Sequence, residues 1–312
     1  MKRLVFLLVL TIPTLTLMIG GCSDDEGCVC PECPQHEVCF HPLTVPLEIA
    51  DAPSWSPDGK RIAFHGALSW ELDIWILEID ADTLTRVTTD EAFDMLPSWS
   101  PDGNQIVFQS NRGHDQFTHF DLYTCPAREN GGAEVTKLTS GEYSHVSPSW
   151  SPDGTQIAFC RYHPDDGNVQ EIWLVDVASG STSLLVSGPD PAWDPDWAPA
   201  GDAIAFVSGD DIAIVNIASG EVTVVASEGE NWDPSWSPDG ERLAFASERD
   251  GSSCDLWICP AAEGGGANAI QLTDWSFDEW DPSWSPSGDE ICFGVTWSGA
   301  YSASIWIAQN LP

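Results

Sequence analysis

The chain has 312 residues and a formal net charge of −38, from 49 acidic and 11 basic residues. A surface this acidic repels nucleic acid and anionic lipid headgroups, so it excludes a nucleic-acid-binding role and favours cationic partners or divalent ions. Adaptation to a salty medium would explain the same excess of acid without any partner.

Residues 1–21 are typical of a secretory signal, with a basic start, a short apolar run and two glycines. The apolar run is too short for a spanning helix. Its last residues, Ile-Gly-Gly-Cys, resemble a bacterial lipobox, which implies that Cys22 becomes the lipidated first residue of the mature protein. An ordinary signal peptide followed by a chance cysteine is the alternative. Under the lipoprotein sorting pattern, Ser23 implies the outer membrane, facing either the periplasm or the cell surface.

Residues 22–42 are expected to form a cysteine-rich tether, because they contain too few apolar residues to build a core. Besides Cys22, the segment contains four cysteines: Cys28, Cys30, Cys33 and Cys39. Export favours disulfides among them. Their C-x-C-x-x-C spacing beside histidines leaves a zinc site open as the alternative.

Residues 43–312 contain six copies of one segment. The heptapeptide PSWSPDG begins at Pro53 and recurs, with changes in two copies, at Pro97, Pro148, Pro195, Pro234 and Pro282. Steps of 39 to 51 residues between copies are typical of a repeat architecture.

Each copy predicts four short antiparallel strands. A tryptophan strand leads into Ser-Pro-Asp-Gly, whose proline and glycine suit a hairpin turn. In the first copy, the second strand follows at Ile62, the third at Asp73 and the fourth at Thr85. The pattern therefore predicts an all-β, six-bladed propeller. The last copy lacks its fourth strand, so residues 43–49 are expected to complete that blade and close the ring.

This repeat resembles the PD40 repeat of the TolB-like β-propellers, a WD-like unit, over residues 43–312. The resemblance implies a bacterial envelope lipoprotein whose propeller binds other proteins, as TolB-like proteins bind peptidoglycan-associated lipoproteins. The α/β domain that precedes the propeller in TolB has no counterpart in this sequence. An identical role in the Tol–Pal system is therefore not implied.

The sixteen tryptophans fall into two groups. Ten recur in the first and third strands and are expected to pack between blades, each indole N–H meeting a polar partner. The other six are expected in loops on one face of the propeller: Trp70, Trp193, Trp232, Trp275, Trp280 and Trp297. Trp70 and Trp297 fall between second and third strands, and the other four between blades. Five of the seven histidines are expected on the same face, over the first three blades.

Acidic residues precede the tryptophan strand in five copies: Asp51, Asp94, Asp194, Asp233 and Asp281. A residue that enters the innermost strand lies near the central channel, so these carboxylates are expected to surround its mouth. Together with the loop tryptophans they could bind a basic peptide, a sugar or a cation. The alternative is that each carboxylate caps its own blade connection by accepting backbone N–H groups.

Five cysteines lie in the propeller segment: Cys125, Cys160, Cys254, Cys259 and Cys292. They are expected to be buried thiols. Disulfides Cys125–Cys160 and Cys259–Cys292 are the alternative, although a two-residue offset along the strands works against their geometry.

These patterns favour a non-enzymatic, monomeric envelope module that binds a protein or peptide through its loop face and contacts the membrane only through its lipid. The alternative is a carbohydrate- or divalent-cation-binding propeller that uses the tryptophan and aspartate cluster. No other cofactor is expected, and no metal ligands are assigned. The sequence contains no G-x-S-x-G or H-E-x-x-H motif, so only a metal-dependent hydrolase remains as an enzymatic hypothesis.

Overall fold

A computed structural model of the protein describes residues 38–68, 71–114, 119–163, 170–251, 253–296 and 303–312. These residues form β-strands and two single-turn 3₁₀ helices, Gly131–Glu134 and Gly265–Asn268. Within them, no helix is long and apolar enough to cross a bilayer. The signal segment, Cys22 and the first three tether cysteines lie outside the described residues.

The strands follow the six sequence copies, which we call units one to six. The chain begins with β1 (Cys39–Pro42). Units one and two comprise β2 (Ile49–Trp55), β3 (Arg61–Ala67), β4 (Asp73–Glu78), β5 (Thr83–Arg86), β6 (Asp94–Trp99), β7 (Gln105–Ser110), β8 (Asp121–Pro126) and β9 (Thr136–Lys137). Units three and four comprise β10 (Ser144–Trp150), β11 (Gln156–Tyr162), β12 (Gln170–Asp176), β13 (Thr182–Val186), β14 (Ala192–Trp197), β15 (Ala203–Ser208), β16 (Asp211–Asn216) and β17 (Val222–Ala226). Units five and six comprise β18 (Asn231–Trp236), β19 (Arg242–Ser247), β20 (Asp255–Pro260), β21 (Ile270–Gln271), β22 (Asp278–Trp284), β23 (Glu290–Thr296) and β24 (Ala303–Gln309).

Units two to five each form a separate four-stranded antiparallel sheet, and units one and six share one eight-stranded sheet. The two shared units meet through a single parallel bridge, Ile49 with Ala303. They merge because the chain leaving β1 runs along β24, where the Leu43 N–H donates to the Ile305 carbonyl at 2.8 Å. The all-β propeller fold is thus confirmed. The prediction of six separate four-stranded blades is wrong in that form, since only four are separate.

A strand N-terminal to unit one completes unit six, but it is β1 rather than residues 43–49. Cys39 lies opposite Gln309, and Pro42 lies opposite Trp306. Phe40 supplies the reason, because its ring packs edge-on against Trp275, with centroids 4.9 Å apart. The closing strand therefore lies inside the segment that was expected to be tether.

The Ser-Pro-Asp-Gly turns form as predicted. In the first turn Gly59 has a φ of 69° and its N–H donates to the Ser56 carbonyl at 2.9 Å. The proline of each turn packs beneath the turn glycine of the next unit, so a methyl group on Gly103 would lie 3.4 Å from Pro57. The same contact links unit six to unit one, where a methyl group on Gly59 would lie 3.7 Å from Pro286.

The hydrophobic core lies between neighbouring units. The second-strand phenylalanines are fully buried there: Phe64, Phe108, Phe159, Phe206, Phe245 and Phe293. The first-strand tryptophans pack in the same layer, but only Trp99 has the expected partner, donating to the Ser54 carbonyl at 3.0 Å. The other five have a buried N–H without a partner among the described residues: Trp55, Trp150, Trp197, Trp236 and Trp284. Burying an indole contributes about 4–6 kcal/mol, which outweighs an unmade hydrogen bond costing about 1–3 kcal/mol.

The cysteines divide as expected. Cys39 is disulfide-bonded, in keeping with the disulfide expectation for the tether. The five propeller cysteines are free and buried, so the bridges Cys125–Cys160 and Cys259–Cys292 do not form.

Candidate functional site

A β-bulge interrupts each first strand immediately before its proline. In unit one the register with β3 shifts between Asp51 and Ser54, and the other five units shift at the same place. The residue before the proline has a φ between 46° and 54° in every unit, and we call these six residues the channel ring: Ala52, Leu96, Ser147, Asp194, Asp233 and Asp281. Positive φ is uncommon outside glycine, asparagine and aspartate, so the bulge is imposed by the fold.

The channel ring and the Pro-Ser or Pro-Asp pairs that follow it line a central cavity of about 150 Å³. Three consecutive units contribute a carboxylate to the ring. We call Asp194, Asp233 and Asp281 the acidic arc. The remaining half of the ring, from units one to three, carries an alanine, a leucine and a serine, so the negative charge lies on one side of the channel.

The acidic arc also joins neighbouring units. Asp194 Oδ1 accepts a hydrogen bond from the Ser147 hydroxyl at 2.7 Å. Asp233 Oδ2 accepts one from the backbone N–H of Asp281 at 3.2 Å. Backbone capping, the alternative interpretation of these aspartates, therefore occurs for Asp233, but toward the next unit rather than within its own connection.

A fourth carboxylate, Asp196, also lines the channel and was missed by sequence reasoning. It occupies the position that is serine in the other five copies, so the signal was PDW in place of PSW. Asp196 accepts hydrogen bonds from the backbone N–H of Trp236 at 2.9 Å and from the Ser149 hydroxyl at 3.1 Å. Burial raises the pKa of Asp196 to about 6. A cation entering the channel would therefore meet four carboxylates.

Asp51 and Asp94 do not line the channel, contrary to the prediction. They precede the channel-ring residue of their own unit by one and two residues, and neither is among the residues that line the cavity. Asp94 is fully buried and pairs with Arg112, Oδ2 to Nη2, at 2.7 Å. Asp51 Oδ1 packs against Gly294, where it leaves no room for a larger residue.

Trp193, Trp232 and Trp280 lie within first strands β14, β18 and β22 rather than in the connections between units, because those strands begin earlier than predicted. Each directly precedes a carboxylate of the acidic arc. All three are partly buried and pack against the hydrophobic core. Trp232 and Trp280 meet edge to face with centroids 5.4 Å apart, so one indole face of the pair is covered.

Trp275 lies between β21 and β22, as predicted, but its side chain belongs to the core. Its ring contacts Phe40, Phe293 and Trp306 at centroid distances of 4.9, 5.9 and 5.2 Å. This indole packs against the closing strand β1 and does not form a binding surface. The two remaining candidates, Trp70 and Trp297, lie outside the described residues.

Comparison with known proteins gives a family match. The sequence model of the TolB β-propeller domain (PD40) matches residues 47–122 and 184–307, more than half of the chain. An uncharacterized protein of Agrobacterium fabrum is 32% identical over 163 residues, which are 49% of this chain and 53% of that protein. The Tol-Pal system protein TolB of Gluconobacter oxydans is 31% identical over 110 residues, which are 34% of this chain and 22% of that protein. The matched region thus spans about half of the first relative and about a fifth of the second.

Solved structures share the fold. A candidate TolB from Agrobacterium tumefaciens superposes with a TM-score of 0.63 at 23% identity, covering 85% of this chain and 91% of that one. An oligogalacturonate lyase in complex with manganese superposes with a TM-score of 0.59 at 15% identity, covering 88% and 93%. Enzymes are therefore among the proteins that share this fold, and the fold alone does not decide activity.

Proposed function

Because the chain belongs to the TolB β-propeller (PD40) family, we propose that it is a lipid-anchored envelope module that binds a cationic protein segment or peptide at the acidic arc. The relative named as a Tol-Pal system protein supports an envelope role. The proposal includes a closed ring of six units, with the eight-stranded sheet counted as two of them. The turn contacts that run from unit to unit and return from Pro286 to Gly59 support that closure.

The acidic arc is the observation that carries the proposal. Three carboxylates on adjacent units line one side of a narrow channel, and Asp196 lines the same channel. Such a channel with low-dielectric walls focuses the field and attracts a lysine or arginine side chain. At an effective dielectric constant of about 20, a charge pair 4 Å apart contributes about 4 kcal/mol before desolvation.

A divalent cation is the competing occupant, because carboxylate oxygens also suit Ca²⁺. A glycan has less support, since the Trp232–Trp280 pair is edge to face and partly buried. No catalytic role is proposed for the channel. Its lining consists of alanine, leucine, proline, serine and aspartate, without the histidine that most often serves as a general base.

Binding of a fluorescein-labelled peptide rich in lysine and arginine to the full-length protein tests the proposal. The triple variant Asp194→Asn, Asp233→Asn, Asp281→Asn removes the arc while preserving side-chain volume. We expect binding of the peptide to weaken about 10- to 100-fold, measured by fluorescence anisotropy at low ionic strength. Adding excess Ca²⁺ as a competitor distinguishes the peptide hypothesis from the divalent-cation hypothesis, because Ca²⁺ displaces the peptide only if the channel binds it.

A second triple variant is the control, because a polyanionic protein attracts cationic peptides without a site. Glu221→Gln, Glu263→Gln and Asp289→Asn remove the same charge from exposed positions outside the channel lining. This control should retain nearly all of the affinity. Equal weakening in both triple variants would mean diffuse attraction and would overturn the proposed site.

A further inference from the structure

A cluster of histidines and one aspartate lies in unit two, away from the acidic arc. His114 follows β7, His119 precedes β8, and Asp121 is the first residue of β8. One ligand atom from each lies within 4.8 Å of the other two. A tetrahedral ion with bonds of about 2.0–2.1 Å requires donors about 3.3 Å apart, so a small approach of the imidazoles would complete the geometry.

The carboxylate at the centre of the cluster is already held in place. Asp121 is fully buried, and its Oδ1 lies 2.9 Å from Nδ1 of His145 on β10. Its Oδ2 lies 2.8 Å from Nε2 of His114 and 2.7 Å from Nζ of Lys137. These three contacts fix the position of both carboxylate oxygens.

The blade scaffold explains part of this arrangement. Asp73 and Asp255 begin the third strands of units one and five as Asp121 does in unit two. In these three units, the hydroxyl of a threonine two residues beyond the fourth strand accepts the N–H of the residue that follows the aspartate: Thr88, Thr139 and Thr273. Lys137 corresponds to Arg86 of unit one, each lying opposite the third-strand aromatic residue.

The two imidazoles of His114 and His119 are not explained by the scaffold. Their rings stack with centroids 3.9 Å apart and planes 16° apart. Nε2 of His119 is buried and has no hydrogen-bond partner among the described residues. A buried ring nitrogen without a partner costs free energy, and a bound cation would relieve that cost.

We propose that His114, His119 and Asp121 form a binding site for a divalent transition metal, with His145 orienting the carboxylate from its other oxygen. Two imidazoles and one carboxylate suit Zn²⁺, Co²⁺ or Ni²⁺ rather than Ca²⁺ or Mg²⁺, which prefer oxygen ligands alone. Carboxylates that bind metals are themselves commonly held by hydrogen bonds from outer groups, as Asp121 is by His145. Three protein ligands leave a coordination position open to water or another ligand.

Lys137 competes with the metal in this arrangement. Its ammonium group contacts Oδ2 of Asp121, the same oxygen that His114 contacts, and its side chain is 41% exposed. Metal binding would displace that ammonium group into solvent. The structure therefore assigns Lys137 the role of limiting the affinity of the site.

Co²⁺ titration of the full-length, chelator-treated protein tests the inference, with excess Mg²⁺ present to occupy surface carboxylates. We expect one equivalent of Co²⁺ to bind, with visible absorption bands typical of nitrogen and oxygen ligands, and Zn²⁺ to displace it. His114→Ala should weaken binding by at least about tenfold. His119→Phe should do the same, while it keeps a ring stacked on His114 and so preserves the fold. Lys137→Met should strengthen binding.

His163→Ala is the matched control, because His163 lies outside the cluster, beside Tyr143. It should bind Co²⁺ as the unaltered protein does. Circular dichroism of each variant confirms that the propeller is folded. Unchanged Co²⁺ binding in His114→Ala and His119→Phe, or Co²⁺ binding that Mg²⁺ abolishes, would overturn the proposal. Neither outcome bears on the acidic arc, which lies in units four to six.

Discussion

The aspartates that begin the third strands differ in the partner that the neighbouring strand supplies. Asp73 has Arg86 as a partner, and Asp121 has Lys137. Asp255 has Gln271 at the corresponding position, 3.4 Å from its Oδ2, and therefore no cation there. A second acid, Glu279 on β22, is fully buried beside it.

The protonation of Glu279 therefore contributes to the pH dependence of stability. Burial, followed by the charge of Asp255, raises the pKa of Glu279 to about 9, although the Thr273 hydroxyl donates to its Oε2 at 2.7 Å. In the folded chain Glu279 thus keeps a proton that the same side chain releases above a pH of about 4.5 in the unfolded chain. Stability from this group is fully present below that pH and is lost as the pH rises toward 9, by up to about 1.4 kcal/mol per pH unit.

We expect Glu279→Gln to stabilise the protein at alkaline pH. The amide keeps an acceptor for Thr273 and does not ionise. Guanidinium unfolding at pH 8.5 should give a free energy of unfolding higher by about 1–3 kcal/mol than that of the unaltered protein, and the difference should shrink toward pH 5.

Glu263→Gln is the control for this prediction, because Glu263 is exposed. Its free energy of unfolding should change by less than about 0.5 kcal/mol at either pH. A Glu279→Gln variant whose advantage is the same at pH 5 and pH 8.5 would contradict a protonation effect.

At the scale of elements, the four-residue strand β1 contributes more to the closure of unit six than its length suggests. It covers β24, which would otherwise be an exposed sheet edge. Phe40 adds a contact with Trp275, and Cys39 on the same strand is disulfide-bonded. The contribution of β1 to folding therefore depends on one aromatic anchor and one covalent link.

We expect Phe40→Ala to destabilise the protein by about 2–4 kcal/mol. The change removes a partly buried ring from the cluster around Trp275 and weakens closure of unit six. Urea unfolding of the full chain measures the loss. Leu184→Ala is the control, because Leu184 lies on β13, the outer strand of unit three, and is 48% exposed. A loss no greater than that of the control would show that β1 is dispensable.

At the scale of the whole molecule, the few basic residues are used inside the fold. Seven of them stack over aromatic rings in the described part of the chain: Arg61, Arg86, Arg112, Lys137, Arg161, Arg242 and Arg249. The net charge of −38 is therefore left largely uncompensated at the surface. Such a surface gains no attraction from anionic lipids.

Membrane attachment of the proposed lipoprotein is for this reason expected to depend on lipidation of Cys22 alone. Each buried acyl CH₂ contributes about 0.8 kcal/mol, whereas the propeller contributes no electrostatic binding. Cys22→Ser should move the protein from the detergent phase to the aqueous phase in detergent partitioning and abolish its labelling with palmitate. A wash with concentrated salt should leave the unaltered protein attached.

Cys28→Ser is the control, since it removes a nearby cysteine without altering the lipobox. This variant should remain in the detergent phase. Retention of Cys22→Ser in that phase would rule out the lipid anchor.

The sequence by itself determined the repeat, the order of strands within it and the turn chemistry. These features depend on local φ preferences and on contacts within a few residues. Residues such as Pro57 and Gly59 therefore indicate them directly. Six registered copies also made the propeller predictable, because each unit buries its apolar face only against a neighbour. The disulfide bonding of Cys39 was expected from the secretory pattern of residues 1–21.

Only the tertiary structure decided which side chains share the channel. Asp194 is the bulge residue of its unit and lies in the channel ring. Asp51 and Asp94 precede the bulge residue of their units by one and two positions and do not line the channel. Likewise, β1 closes unit six in place of residues 43–49 because Phe40 finds an aromatic pocket about 235 residues away along the chain. Contacts of that kind depend on register and packing between distant segments, which no local pattern specifies.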